Sequence, residues 1–174
     1  MANAIQPHEH VKEIFFDDLI VSKTDLTGRI TYANDVFCRI AGYSETELLG
    51  QQHSIIRHPD MPRAVFKYLW DTILEGREVF AYVKNLARSG DYYWVFAHVT
   101  PSQDVNRKTV GFHSNRRVPD PRIVCDVIAP LYTELLREEQ SHRNGKDALA
   151  ASYRTLIGFI AAKKISYDEL IFSL

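Results

Sequence analysis

From residue 79 the chain shifts to a hydrophobic period of two and keeps it through three stretches, 79–87, 92–101 and 109–117. Alternation sends successive side chains to opposite faces, as a strand with one buried face requires. Arg88-Ser89-Gly90-Asp91 joins the first two stretches with the turn chemistry of a hairpin, and Asn106-Arg107-Lys108 leads into the third. The result is a three-stranded antiparallel meander, and other parts of the chain must cover one of its faces.

Two shorter strands, 19–24 and 29–32, come earlier and are joined through Thr24-Asp25-Leu26-Thr27-Gly28. A helix follows over 33–41, with Val36, Phe37 and Ile40 on one face and Gly42 at its end. Ser44 and Glu47 have capping-box spacing, flanked by Tyr43 and Leu48 as a hydrophobic staple, so a short helix begins at 45 and stops near Gly50. Residues 51–60 are irregular. Asp60 then reads as the cap of a helix over 61–74 whose inward stripe is Val65, Phe66, Leu69, Trp70 and Ile73. The expected class is α+β, a five-stranded antiparallel sheet with short helices on one face. Residues 1–17, polar until Ile14, Phe15 and Phe16, read as a short leading helix that caps this domain.

Asp120 and Pro121 open a long helix by the N-cap and N1 preferences. Val124, Ile128, Leu131 and Leu135 are spaced as in a coiled-coil seam, and Pro130 should kink it. After Arg143-Asn144-Gly145 a second helix runs over 146–163, and Ser166 with Glu169 caps a short apolar tail. The chain therefore divides into a cap at 1–17, a sensor-sized domain at 18–120 and a helical extension at 121–174. The extension shows more apolar surface than a small sheet covers, which suits signalling contact or dimerisation.

Composition narrows the function. Lys and Arg number 21 against 22 Asp and Glu, a net charge of -1 with no basic excess, so nucleic acid and membrane-surface partners are not expected. Cys38 and Cys125 form no framework, and the seven histidines include no H-E-x-x-H pair or other zinc-ligand spacing, so no metal is expected. There is no secretory h-region, and the uncharged run 155–162 is far shorter than the roughly 20 residues of a membrane span. The expectation is a soluble cytoplasmic protein that meets a membrane only through a partner. Nucleophile-elbow, Walker and G-x-G-x-x-G motifs are missing. The adjacent pairs Asp17-Asp18 and Glu138-Glu139 would not face each other on a helix, so an enzyme is not expected.

The segment 55–62 stands out, because it sets Arg57, His58 and Asp60 in an irregular stretch before a helix. Arg57 offers a planar fork suited to a diphosphate or carboxylate; equally, Asp60 is a cap and the other two are solvated. Trp70 reads as core or as a pocket wall. Asn85 is an amide within a largely apolar strand, able to read the edge of a flat heterocycle or simply to face solvent. Asn34 reads as an N-cap.

Together these blocks resemble a PAS domain, and more narrowly the PAS domain of aerotaxis receptors. The matching residues are Thr24-Asp25-Leu26, Ile30-Thr31-Tyr32-Ala33-Asn34-Asp35, Gly42-Tyr43-Ser44-Glu45-Thr46-Glu47-Leu48, Arg57-His58-Pro59-Asp60-Met61-Pro62, Val83-Lys84-Asn85 and Gly90-Asp91-Tyr92-Tyr93-Trp94-Val95. The resemblance covers about residues 18–120, and its fourth block is the most specific. It implies non-covalent FAD, with Arg57, His58 and Asp60 tied to FAD binding and Asn34, Trp70 and Asn85 lining or adjoining the flavin pocket. It also implies a redox or oxygen-linked sensor for chemotaxis. The membrane anchor and signalling domain that follow in aerotaxis receptors are not seen after residue 120. The layout is similar to the stand-alone PAS proteins of bipartite energy-taxis systems, the CetB type, which sit beside a membrane-bound methyl-accepting chemotaxis-type transducer. Heme is the competing cofactor, with His53 and His58 as candidate ligands, since 61–74 holds no histidine. A cofactor-free PAS dimerisation module is the third reading. A light–oxygen–voltage photosensor is not expected, because the adduct-forming cysteine motif is missing and Cys38 lies in the wrong helix.

Overall fold

A computed structural model describes residues 5–174. Strands β1 (Ile20–Thr24), β2 (Ile30–Ala33), β3 (Val79–Leu86), β4 (Tyr92–Gln103) and β5 (Thr109–Arg117) form one antiparallel sheet. Its order is β2-β1-β5-β4-β3, so the early hairpin closes onto the end of the meander through the pairing of β1 with β5. Alternation along the strands turns Ala81, Val83, Val95 and Ala97 inward, and all four are buried.

Helices α1 (Asp35–Ala41), α2 (Glu45–Leu48) and α3 (Arg63–Leu74) lie between β2 and β3 in the chain, with a tight 3-10 turn at His53–Ile56. Asn34 caps α1 by accepting from Phe37 N, Gly42 closes it at φ 76°, and Ser44 with Glu47 forms the expected capping box of α2. Phe37, Ile40, Leu48 and Ile56 are buried in the core with the inner face of the sheet.

The start of α3 departs from the sequence reading. Pro62 disfavours helical backbone at the residue before it, so the helix begins at Arg63 and Asp60 is not its cap. The Asp60 carboxylate instead accepts from Lys84 Nζ at 2.7 Å.

The leading helix is not found either; residues 1–4 of that reading lie outside the described residues. Residues 8–12 bend at Glu9 and run beside the start of β4, bridged to it at Val11: Tyr92 N donates to His10 O at 3.0 Å, and Lys12 N to Tyr92 O at 2.6 Å. The reason is an open edge. Pairing between β4 and β5 starts at Phe96 with Arg117, so the preceding residues of β4 offer free backbone groups on that side.

The C-terminal part comprises α4 (Pro121–Ile123), a π turn (Val124–Ile128), α5 (Ala129–Ser141), α6 (Gly145–Ala162) and α7 (Tyr167–Ser173). The irregularity expected at Pro130 takes the form of a local change in helix type. The π turn inserted just before it lets Ala129 N donate to Val124 O and absorbs the donor that proline lacks. The seam positions Val124, Ile128 and Leu135 are buried within this same chain. Tyr132 hydroxyl donates to Tyr82 O on edge strand β3 at 2.6 Å, and Phe172 of α7 packs edge-on against Phe80 at 4.6 Å between ring centres. Val65 and Tyr68 of α3 face Leu156, Phe159 and Tyr167 across a narrow crevice. The extension thus folds back over the β3 edge, one of the two edges of the sheet open to unwanted pairing. Among the described residues no helix is long and apolar enough to cross a membrane.

Candidate functional site

Between the sheet and α3 lies a cavity of about 190 Å³. Its floor is Ser22, Val83, Asn85, Ala97, Val99, Ser114 and Arg116; its roof is Phe66, Leu69, Trp70 and Ile73; Gln52, His53, Ser54 and Arg57 stand at one side. The space follows from composition. Ser22, Ala97 and Ser114 occupy inward strand positions where leucine or phenylalanine would fill the gap. Trp70 meets Phe112 edge-on at 5.5 Å, and its indole edge seals against Gly28. A Cβ there would stand 3.0 Å from Trp70 Cζ2, and the turn holds Gly28 at φ +82°.

Two guanidinium groups face this cavity, and among the described residues neither meets a carboxylate. Arg57 lies on the solvent side, its guanidinium 3.9 Å from the Phe66 ring centre; partial desolvation, then the charge of Arg63, pulls its pKa down. Arg116 is 2 % exposed. It donates through Nη2 to Ser22 Oγ, lies over Phe37 at 4.5 Å, and leaves Nε and Nη1 buried without a partner. Burial lowers its pKa to about 10, with the Tyr93 phenol working the other way.

Ser22 Oγ also lies 3.0 Å from His53 Nε2, and His53 stacks on Phe37. With Arg116 donating to the serine oxygen, the serine proton is free for His53 Nε2. His53 is only partly open, and burial, followed by the charges of Arg116 and Arg57, brings its pKa to about 3. It is a neutral imidazole at ordinary pH. Asn85 is 4 % exposed, and its amide has no hydrogen-bond partner among the described residues. An apolar slot with an unpaired amide and two cations lacking counter-ions suits a flat, polar-edged, anionic ligand.

Of the six residues singled out in the sequence, the cavity gathers Arg57, Trp70 and Asn85. Asn34 lies outside its lining; its amide accepts from Val21 N and Phe37 N and donates to Leu19 O, which locks α1 to β1. His58 and Asp60 are outside as well. His58 Nδ1 accepts from Asp60 N at 3.1 Å and its ring meets Tyr92 edge-on, while Asp60 is paired with Lys84. Burial, then the Lys84 charge, lowers the His58 pKa against the pull of Asp60. These two residues tie the loop behind Arg57 to the sheet, Asp60 to β3 and His58 to β4. Cys38 does not line the cavity. Sequence reasoning passed over Arg116 and Ser22. Alternation from buried Phe112 places residue 116 on the inward face, so the strand period carries the signal.

A family model described as PAS fold matches residues 30–116. The chain is 41% identical over 128 residues to the aerotaxis receptor of Escherichia coli strain K12, covering 73% of this chain and 25% of the receptor. It is 37% identical over 81 residues to the nitrogen fixation regulatory protein of Klebsiella pneumoniae, covering 47% of this chain and 16% of the regulator. It thus spans a quarter or less of the length of these relatives. Similar solved structures include a light–oxygen–voltage domain studied with a flavin analogue, at 15% identity and TM-score 0.57 over 67% of this chain and 87% of that one. Another is the light-state Aureochrome1 domain, at 19% identity and TM-score 0.56 over 68% and 91%. At these identities the structures report the fold alone.

Proposed function

This chain belongs to the PAS fold family, and we propose that it binds FAD between α3 and the sheet and acts as a redox or oxygen-linked sensor, not as an enzyme. The observation that carries this reading is the pair Arg57 and Arg116, two guanidinium groups that meet no carboxylate among the described residues, beside an apolar slot that holds the Asn85 amide. A relative named as an aerotaxis receptor supports it.

Bound FAD would supply a ring that takes up and returns electrons, and with them charge and protons. The chain's own residues would do the rest. Arg57 presents its fork to a diphosphate, Trp70 and Val99 wall the slot, Asn85 offers both a donor and an acceptor to a ring edge, and Arg116 holds a fixed positive charge on the sheet side. Re-pairing of the Asn85 amide would pull on Arg57, whose backbone is bridged to it, and on Lys84 next in the strand. Lys84 and Trp94 line a cleft shared with Tyr132 and Arg137 of α5, which gives a contiguous route to the C-terminal helices.

On this reading residues 18–120 are the sensor and 1–17 its cap. Residues 121–174 carry the signal to a membrane-bound methyl-accepting chemotaxis-type transducer, or to a second copy of the chain, in the cytoplasm. Phe172, 62% exposed, and Ile157 and Ile165 remain as apolar contact points. An absorption spectrum of the purified protein, with the pigment identified after heat release, tests the cofactor. Flavin bands and released FAD are expected. A Soret band would assign heme and make His53, which lines the cavity, the first ligand to replace.

A further inference from the structure

We propose that His8, His10 and Asp91 form a site for a zinc-class divalent metal ion that fastens the N-terminal segment to the hairpin between β3 and β4. Each residue offers one ligand atom, and these atoms all lie within 4.8 Å of one another. His8 and His10 flank a bend at Glu9, which leaves their ring centres 6.2 Å apart. The segment's register is fixed by the backbone, with His8 N donating to Gly90 O at 2.6 Å and Tyr92 N to His10 O at 3.0 Å.

The hairpin is shaped for that imidazole. A Cβ on Gly90 would stand 2.9 Å from His8 Cε1 and 2.6 Å from Gln6 O, and the residue sits at φ +95°. The carboxylate is oriented too. Ser89 Oγ donates to Asp91 Oδ2 at 2.7 Å, leaving Oδ1 turned to His8 Nδ1 at 3.6 Å. Two imidazoles and one carboxylate are a three-ligand zinc set with a coordination position left for water, and a hydrogen-bonded carboxylate is the usual support for one. A His8–Asp91 ion pair accounts for two of these side chains and leaves His10 unexplained. Ligand spacing in the sequence could not show the site, because its third member comes from a distant hairpin. The site lies outside the cavity lining, so its test does not depend on the cofactor reading.

Calorimetric titration of Zn²⁺ into chelator-stripped, full-length protein at neutral pH is expected to show one ion per chain, unaffected by excess Mg²⁺. His10→Ala and Asp91→Asn should abolish it. Ser89→Ala should weaken it roughly 10–100-fold, as loss of a ligand's hydrogen-bond support does. His98→Ala and His142→Ala, which remove the other exposed histidines paired with glutamates, should leave it unchanged. Zn²⁺ should also slow amide exchange at Lys12, whose N–H is bonded to Tyr92. His10 is exposed, so its variant should retain the wild-type circular dichroism spectrum. No saturable binding, or binding that survives His10→Ala, overturns the proposal.

Discussion

Arg57 and Asn85 are joined by an isolated antiparallel backbone bridge, and both side chains line the same cavity. The loop residue with a free guanidinium and the strand residue with a free amide therefore cannot move independently. Each is anchored again nearby, Arg57 by stacking on Phe66 and the neighbouring loop by the ion pair of Asp60 with Lys84.

Because Arg57 is open to solvent and its only side-chain contact of note is that stack, Arg57→Ala should change stability by no more than about 1 kcal/mol. A charge-assisted hydrogen bond to a ligand contributes about 1.5–3 kcal/mol, so FAD affinity should fall roughly 10- to 100-fold. Thermal melts and quenching of flavin fluorescence measure the two effects separately.

Arg116 should behave in the opposite way. Its guanidinium is buried with two N–H sites unpartnered, an arrangement that costs stability in the ligand-free protein. Even a buried ion pair is often replaced by apolar chains of similar volume with a gain of about 1–4 kcal/mol, and Arg116 has no such pair to lose. Arg116→Met should therefore raise the urea midpoint of the FAD-free protein while weakening FAD binding. A variant less stable than wild type would show that the charge is already satisfied without a ligand.

His53 predicts a pH effect of defined sign. Its pKa in the folded chain is about 3 against an ordinary 6.5, so between these values the unfolded chain binds a proton that the folded chain does not. Stability from this group is complete above about pH 6.5 and is lost as the pH falls towards 3, by at most about 1.4 kcal/mol per pH unit. Urea unfolding at pH 7.5 and 5.0 should show a loss in wild type that is clearly smaller in His53→Gln. Carboxylates are common to both proteins and cancel in the comparison.

The C-terminal helices belong to the same core as the sheet. Leu135 is 0% exposed, and Leu135→Ala should cost about 2–5 kcal/mol while keeping a single unfolding transition. Tyr132→Phe removes the donor to Tyr82 O and should cost about 1 kcal/mol. Two separate transitions would mean that residues 121–174 unfold on their own.

What the sequence disclosed follows from how local each cause is. The Gly42 stop, the Ser44–Glu47 capping box and the Arg88–Asp91 hairpin rest on a few adjacent residues, and all three form. Residues 8–12 carry no apolar period; their place is set by open backbone on β4, which appears only once β5 has ended at Arg117. Asp60 has the chemistry of a helix cap, but Pro62 moves the helix start beyond its reach. The helix period puts Trp70 on an inward face but leaves it as core or pocket wall, and the strand leaves Asn85 open between pocket and surface; the family resemblance is what implied a pocket role for both, and the cavity lining includes both. Arg116 was missed because a charge in an alternating strand is ordinarily taken as surface, and its burial depends on Ser22 from another strand. The C-terminal seam had the right spacing for a partner helix, but spacing alone does not say that the partner is the chain's own sheet edge.

Titration of FAD into the FAD-free protein, followed by absorption and by quenching of flavin fluorescence, tests the central claim most directly. The account predicts saturation at one FAD per chain, with binding weakened by both Arg57→Ala and Arg116→Met. A folded protein that stays colourless and gives no saturable signal, or one that binds FAD equally well after both substitutions, would contradict it.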